Sequence, residues 1–139
     1  MGKGEENIAL SLERLRSTRN RVLVVAHRGC SGRAPENTIA AFEMALEQGS
    51  DMIECDVRLT KDEEVVVFHD RALDRTTNGK GPVEQRTLEE LKRLDAGSWF
   101  SSKFSGERIP TLSEVLHLLE GRAFLNIELK TDSDRKSVV

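Results

Sequence analysis

The sequence lacks the features that identify several classes of protein. It has no apolar run approaching the roughly 20 residues that a membrane-spanning helix needs, and it has no Cys-x-x-Cys pair, so neither a zinc ribbon nor a dithiol redox motif is indicated. Basic residues are not in excess: the net charge is −3, whereas general nucleic-acid binders are usually basic. We therefore expect no integral membrane segment and no nucleic-acid partner.

The N-terminus and the cysteines indicate a compartment. The first six residues include three charged ones and lack the apolar core of a secretory signal. Cys30 and Cys55 could form a disulfide, but two free thiols in a reducing compartment are the simpler interpretation. Both observations favour a cytoplasmic protein.

Length restricts the fold. The chain has 139 residues, which suits one domain, whereas a complete (β/α)8 barrel takes roughly 250. The continuous apolar run at residues 22–26, which ends in His27, predicts a strand buried on both faces, as in parallel sheets. Further strands are predicted at residues 51–57, 65–69 and 123–130. The link between the second and third strands, residues 59–64, would be tight for the crossover helix that joins a parallel pair.

Helices are predicted between these strands, so the chain is of the α/β class. A weakly amphipathic helix at residues 8–16 leads the chain, and residues 1–21 form a helical lead. Asn37 is a candidate N-cap for a helix that Gly49 ends and whose apolar face is Ile39, Phe42 and Leu46.

Two further helices have N-terminal signals. Thr87 and Glu90 form a capping box for a short helix ending near Gly97. A second capping box, Thr111 with Glu114, precedes a helix whose predicted buried stripe is Leu112, Val115, Leu116 and Leu119.

Polar side chains interrupt the apolar strands near their carboxyl ends, where α/β sheets bind ligands. By alternation Glu54 and Asp56 share one face of the second strand, and Cys55 takes the other. Glu128 and Lys130 share a face of the last strand. Three neighbouring carboxylates would repel one another, and a divalent cation, Mg²⁺ or Ca²⁺, would remove that repulsion. The alternative is ion pairing with Arg28, Arg58 or Lys130.

Histidines and cations accompany these acids. His27 and His69 end the first and third strands and could serve as a general acid and base near neutral pH, or each could be a structural histidine. Arg28 and Lys130 could bind phosphate, and backbone amides near Gly29 could approach an anion. Alternatively, Arg28 pairs with Glu36 or Asp56. His117 lies off the helical stripe and is expected at the surface.

Six motifs carry a resemblance to a known family. They are Ala-His-Arg-Gly at 26–29, Ala-Pro-Glu-Asn-Thr at 34–38, Glu-Cys-Asp-Val at 54–57, Val-Phe-His-Asp at 67–70, Leu-Asp-Arg-Thr-Thr at 73–77 and Ile-Glu-Leu-Lys at 127–130. In this order the sequence resembles the glycerophosphodiester phosphodiesterase family over residues 22–130.

The resemblance implies a TIM-type (β/α) barrel of which this chain carries the first half, about four strands, in an incomplete domain at residues 22–139. It also implies a small inserted subdomain at residues 70–109 after strand three. The implied reaction hydrolyses glycerophosphodiesters to an alcohol and glycerol 3-phosphate. The implied roles are acid and base for His27 and His69, phosphate binding for Arg28 and Lys130, and divalent metal binding for Glu54, Asp56 and Glu128.

Alternatives to this activity stay open at the level of sequence. A half-barrel would have unpaired edges at strands one and four, which invite homo-oligomers, and it could be a non-catalytic fragment or a subunit that needs a partner chain. A lysophospholipase D-like activity is the alternative within the same enzyme class.

Overall fold

The computed structural model describes residues 22–130, so the predicted leading helix and the C-terminal tail lie outside the described residues. In chain order the elements are β1 (Val25–His27), α1 (Ile39–Glu47), β2 (Met52–Leu59), β3 (Val65–Val67), α2 (Leu88–Lys92), α3 (Leu112–Leu119) and β4 (Phe124–Leu129), with 3-10 turns at Val83–Gln85 and Ser102–Phe104. Over this part of the chain, none of the helices has the length and apolar character that crossing a bilayer requires.

Strand β2 is the centre of the sheet. β1 and β4 pair with it in parallel, and β3 pairs antiparallel with its carboxyl end, with Val57 opposite Val67 and Leu59 opposite Val65. The antiparallel pairing accounts for the short link between β2 and β3, because a hairpin needs no crossover helix.

Helices α1 and α3 pack on one face of the sheet. Their apolar side chains meet those of β2 and β3 in a core cluster of Phe42, Ala45, Ile53, Cys55, Val57, Val67, Val115 and Leu119. A second cluster joins β3 to the segment that follows it and consists of Val66, Phe68, Leu73, Val83, Leu91, Ala96 and Ile109. Residues 70–109 are therefore packed around an apolar centre that they share with Val66 of β3 and with Phe68.

The helix boundaries confirm some of the sequence signals and correct others. The Thr87–Glu90 capping box is present, but α2 ends at Lys92 rather than near Gly97. The N-cap of α1 is Thr38, whose hydroxyl accepts a hydrogen bond from the Ala41 N–H, so the prediction of Asn37 was wrong. In α3 the predicted stripe residue Leu116 is largely exposed, and Leu118 packs against the core instead.

The two outer strands are less buried than their apolar sequences predicted. The exposed large side chains include Val22, Val24 and Val25 beside β1, and Ile127 and Leu129 in β4. The physical reason is position: in the described part of the chain, β1 and β4 each pair only with β2. A composition typical of buried parallel strands therefore lies at two open sheet edges.

Candidate active site

The polar side chains of three strands lie on one face of the sheet, opposite the helices. The register places His27 beside Glu54 and Asp56 beside Glu128, and paired residues point to the same side. Glu54 and Asp56 lie farther from the carboxyl end of their strand than predicted, because β2 continues to Leu59 rather than ending at Val57. β2 thus projects beyond its parallel neighbours, and its two acids lie level with the ends of β1 and β4.

Three carboxylates converge on this face. One oxygen from each of Glu54, Asp56 and Glu128 lies within 4.8 Å of the other two. Asp56 is fully buried and Glu54 nearly so, and both Glu54 Oε1 and Asp56 Oδ1 are buried without a hydrogen bond. Burial, followed by the negative charge of Asp56, raises the pKa of Glu54. A positive charge bound at this cluster would therefore stabilise the ionised acids.

The donor set fits a hard divalent cation. Carboxylate oxygens are the ligands that Mg²⁺ and Ca²⁺ prefer, and two oxygens on opposite sides of a Ca²⁺ ion lie about 4.8 Å apart. The two buried oxygens without hydrogen bonds are the atoms such an ion would satisfy. The third acid, Glu128, is more exposed, and a hydrogen bond from Lys130 lowers its pKa.

Two cations also contact the cluster. Arg28 Nε lies 3.4 Å from Asp56 Oδ2, and Lys130 Nζ lies 2.6 Å from Glu128 Oε1 and 3.8 Å from Asp56 Oδ1. The ion pairs that sequence analysis considered as an alternative to a metal are therefore present. They leave Glu54 Oε1 without a hydrogen bond, so ion pairing alone does not satisfy the acids.

The loop after β1 holds Glu54 in place. Arg28 has a left-handed backbone, with φ 59°, and its N–H donates to Glu54 Oε2 across 3.1 Å. Gly29 follows with φ 80°, and a Cβ there would lie 2.8 Å from the backbone carbon of Ala41 in α1. The Cys30 N–H donates to Ala41 O at 2.9 Å. The N–H groups of residues 28–30 therefore all donate within the protein, one of them to the Glu54 carboxylate, and the structure shows none of them turned toward an external anion.

Asn37 is a site residue that the sequence prediction missed. Its side-chain Nδ2 donates to Asp56 Oδ2 across 3.0 Å, and its own N–H donates to Arg28 O at 3.0 Å. Asn37 is buried, and its Oδ1 has no hydrogen bond. The Ala-Pro-Glu-Asn-Thr motif was the available signal, but it was interpreted as a helix cap.

The two histidines differ in their surroundings. His27 has a largely exposed side chain, 65%, with Nε2 3.6 Å from Glu54 Oε2. His69 lies two residues beyond the end of β3, and its Nδ1 is 2.7 Å from Asp70 Oδ1. The Phe68 N–H donates to Asp56 O and so keeps this segment against β2, while Arg58 Nε donates to His69 O. The structure thus ties His27 directly to the acid cluster and His69 to Asp70.

A network of charged side chains connects His69 to the rest of the site. Arg75 donates to both Asp70 and Glu36, and Glu36 accepts in turn from Arg28 Nη1 at 3.1 Å. Hydrogen bonds from Arg75 hold the pKa of Asp70 well below its usual range. For Glu36, burial raises the pKa, but Arg75 and Arg28 together outweigh it and lower the pKa. Asp70 and Arg75 were not predicted as site residues, although they lie in the motifs Val-Phe-His-Asp and Leu-Asp-Arg-Thr-Thr.

The remaining predicted residues lie away from this chemistry. Cys30 and Cys55 are free thiols. Cys55 points into the core as alternation predicted, and burial, with the charges of Glu54 and Asp56, raises its pKa to about 12. His117 is exposed, as expected.

Comparison with known proteins gives a consistent result. The model of the glycerophosphoryl diester phosphodiesterase family matches residues 27–138. The chain is 60% identical over 112 residues to a glycerophosphodiester phosphodiesterase of Caldanaerobacter subterraneus, covering 80% of this chain and 46% of that protein. It is 46% identical over 120 residues to a glycerophosphodiester phosphodiesterase of Bacillus subtilis, covering 81% and 41%.

Solved structures agree. A glycerophosphodiester phosphodiesterase from Agrobacterium tumefaciens superposes with a TM-score of 0.79 at 50% identity, covering 80% of this chain and 48% of that one. An Oleispira antarctica phosphodiesterase, solved in complex with the product sn-glycerol-3-phosphate, has a TM-score of 0.76 at 47% identity, covering 78% and 44%. The chain spans less than half the length of these relatives. Its parallel strands β1, β2 and β4 confirm the predicted part of a TIM-type barrel, whereas β3 is antiparallel and is not one of the parallel strands. The chain belongs to the glycerophosphoryl diester phosphodiesterase family.

Proposed function

We propose that the protein to which these residues belong hydrolyses glycerophosphodiesters to an alcohol and glycerol 3-phosphate with a divalent cation. The observation that carries the proposal is the cluster of Glu54, Asp56 and Glu128, in which two buried carboxylate oxygens have no hydrogen bond. Membership of the family supplies the substrate class.

The charge balance of the cluster supports a cation at the site. The three acids carry three negative charges and the two adjacent cations, Arg28 and Lys130, carry two positive ones, so the group has a net charge of about −1. This would repel a phosphodiester, which is itself an anion. A divalent ion, Mg²⁺ or Ca²⁺, would be held by the three acids and reverse the sign. When bound, it would neutralise phosphate charge and lower the pKa of an oxygen nucleophile.

Arg28 and Lys130 are the proposed phosphate ligands. Both are mostly buried, yet each keeps part of its side chain accessible on the polar face of the sheet. Their contacts with Asp56 hold both cations beside the acids, where a phosphate bound next to the cation would meet them.

His27 and His69 are the proposed acid and base. One takes a proton from the attacking oxygen, which is water or the glycerol hydroxyl of the substrate, and the other gives a proton to the leaving alkoxide. For His69, the contact of Nδ1 with Asp70 leaves Nε2 as the nitrogen that exchanges this proton. His27 is exposed enough to meet a substrate from solvent.

Turnover of glycerophosphocholine tests the proposal. The chain is incubated with Mg²⁺, with Ca²⁺ or with EDTA, and released glycerol 3-phosphate is measured. We expect release only with a cation, and the ion that gives the faster rate identifies the preferred metal. Glu54→Gln should abolish release, while the exposed Glu89→Gln should not. Cation-independent release, or an active Glu54→Gln variant, would contradict the proposed mechanism.

The open sheet edges favour a second proposal, which concerns what covers strands β1 and β4. Exposed Val24, Val25, Ile127 and Leu129 give β1 and β4 apolar edges, and the chain spans less than half of its relatives. We propose that these edges are covered either by further strands of the same domain or by another copy of the chain. Sedimentation tests the covering by another copy. A dimer or larger species supports the homo-oligomer, and a monomeric, fully active chain shows that the edges need no partner chain.

Two smaller assignments belong to the same proposal. Residues 70–109 form the inserted subdomain of the family, and the support is an apolar cluster to which five of its residues contribute, together with Val66 and Phe68. The protein acts in the cytoplasm, for which the two free thiols are the support.

A further inference from the structure

We propose that Arg75 is a positioning residue that orients both His69 and Arg28 through two intervening carboxylates. The inference rests on the proposed function, since it concerns how two of the proposed site residues are held. Arg75 itself contacts neither the acid cluster nor a histidine in the interactions observed, so its effect must pass through Asp70 and Glu36.

The guanidinium of Arg75 is shared between these two acids. Nε and Nη2 donate to the two oxygens of Asp70, each across 2.9 Å. Nη1 and Nη2 donate to the two oxygens of Glu36 across 2.8 and 3.1 Å. Two bidentate contacts on one planar group fix the orientation of both carboxylates.

Each carboxylate then contacts one proposed site residue. Asp70 Oδ1 lies 2.7 Å from His69 Nδ1, and Glu36 Oε2 accepts from Arg28 Nη1 at 3.1 Å. The network therefore connects the loop after β1 with the segment after β3. These loops are distant in sequence, since 39 residues separate Glu36 from Arg75.

The chemical consequence for His69 is a choice of tautomer. A carboxylate held at Nδ1 accepts a hydrogen bond, so neutral His69 carries its proton on Nδ1 and keeps the lone pair on Nε2. Without Arg75, Asp70 loses its bidentate partner and can rotate away, and the tautomer is no longer fixed. For Arg28, the consequence is a fixed orientation of its guanidinium, because Arg75 holds the Glu36 carboxylate that accepts from it.

The contacts of Arg75 with Glu36 and Asp70 differ from an ordinary surface ion pair, because both acids are largely buried. The side chain of Arg75 is about half exposed, but those of Glu36 and Asp70 are 10% and 27% exposed. Both acids also have a second partner on the site side, so moving either one moves a proposed site residue.

The tautomer of His69 tests the proposal without any need for catalysis. The 15N shifts of its ring nitrogens are recorded at a pH where the ring is neutral, in the full chain and in Arg75→Gln, Asp70→Asn and the control Arg93→Gln, whose exposed arginine pairs with Glu89. We expect a protonated Nδ1 in the parent chain and in the control, and a mixture of tautomers in Arg75→Gln and Asp70→Asn. An unchanged tautomer in Arg75→Gln would overturn the proposal.

Arg75→Lys separates charge from geometry. Lysine keeps the positive charge between the two acids, so it should fold even if Arg75→Gln does not, but it has no planar fork to hold two carboxylates. We expect mixed tautomers in this variant too. A parent-like tautomer in a folded Arg75→Lys chain would show that charge alone suffices and would overturn the positioning role.

Kinetics with glycerophosphocholine distinguish the effect of Arg75 through Asp70 on His69 from its effect through Glu36 on Arg28. We expect Asp70→Asn to lower kcat by about 10- to 100-fold with little change in KM, and Glu36→Gln mainly to raise KM, because its effect passes through Arg28. Arg75→Gln should do both. If the parent chain releases no glycerol 3-phosphate, this chain has no activity by itself, while the tautomer measurement still decides the role of Arg75.

Discussion

The side-chain amide of Asn37 donates to the carboxylate of Asp56 across 3.0 Å, from a backbone in the left-handed region with φ 56°. Asparagine is among the few residues that adopt this conformation at low cost. The contact engages Asp56 Oδ2 and leaves Oδ1 without a hydrogen bond. Asn37 therefore orients an acid of the proposed metal site.

Asn37→Asp changes this contact from attraction to repulsion with little change in shape. Two buried carboxylates would then face each other, so the free energy of unfolding at neutral pH should fall by about 2–4 kcal/mol. Urea denaturation measures the change. Asn78→Asp is the matched control. Asn78 is exposed, and its side-chain oxygen accepts from the backbone N–H of Asp95, a hydrogen bond that an aspartate can also accept. Equal losses in both variants would contradict the assignment.

Glu54→Gln should separate cation binding from folding. Glutamine can still accept the hydrogen bond from the Arg28 N–H, while the repulsion from Asp56 disappears, so the cation-free variant should be at least as stable as the parent chain. A cation at 100 times its Kd should stabilise the parent by about 2.7 kcal/mol. Thermal melts with and without CaCl2 or MgCl2 should show this gain in the parent and in Glu89→Gln, and its loss in Glu54→Gln. An equal gain in Glu54→Gln would exclude this acid as a ligand.

Gly29→Ala should be costly because the turn after β1 has no room for a Cβ. The new atom would lie 2.8 Å from Ala41 at a φ of 80°, and strain and displacement together should cost about 2–4 kcal/mol. Gly32→Ala is the control in the same loop, since no atom lies within 4 Å of its Cβ position, and its change should stay within about 0.5 kcal/mol. Chemical denaturation compares them, and similar losses would contradict the predicted close packing.

Asp70 should contribute to the acid limit of stability. Its pKa is lowered in the folded chain, chiefly by hydrogen bonds from Arg75. A lowered pKa means that its contribution is complete above the ordinary Asp pKa of about 3.9 and is lost as the pH falls through the folded value. Asp70→Asn should therefore be less stable at pH 7 and lose less on acidification below about pH 4. Urea midpoints measured across that range test this, and parallel acid limbs in the two proteins would refute it.

Strand alternation was sufficient to predict the central part of the site. It placed Glu54 and Asp56 on one face and Cys55 on the other, and Cys55 does lie in the core cluster. The period of a strand is a local property of the backbone, so short-range pattern alone can determine it. The order of strands and helices in the described residues followed from the same kind of signal.

The features that could not be predicted from the sequence depend on contacts between residues distant in the chain. Asn37 and Thr38 are both good N-caps by residue type, and the choice of Thr38 follows from Asp56, which engages Asn37 from 19 residues away. The bridging role of Arg75 likewise depends on two loops that meet only in the folded chain. The exposure of Leu129 depends on what lies beyond an edge strand, which its own apolar sequence does not encode.

The pairing of Asp56 with Glu128 across β2 and β4 gives the assembly of the site an all-or-none character. If β4 slipped by one residue, Glu128 would turn to the helical side and Ile127 would take its place among the acids. The cluster would lose an oxygen ligand and gain a methyl surface in one step. A cation that binds all three acids therefore selects the correct register, and folding of this strand pair and formation of the site become one event.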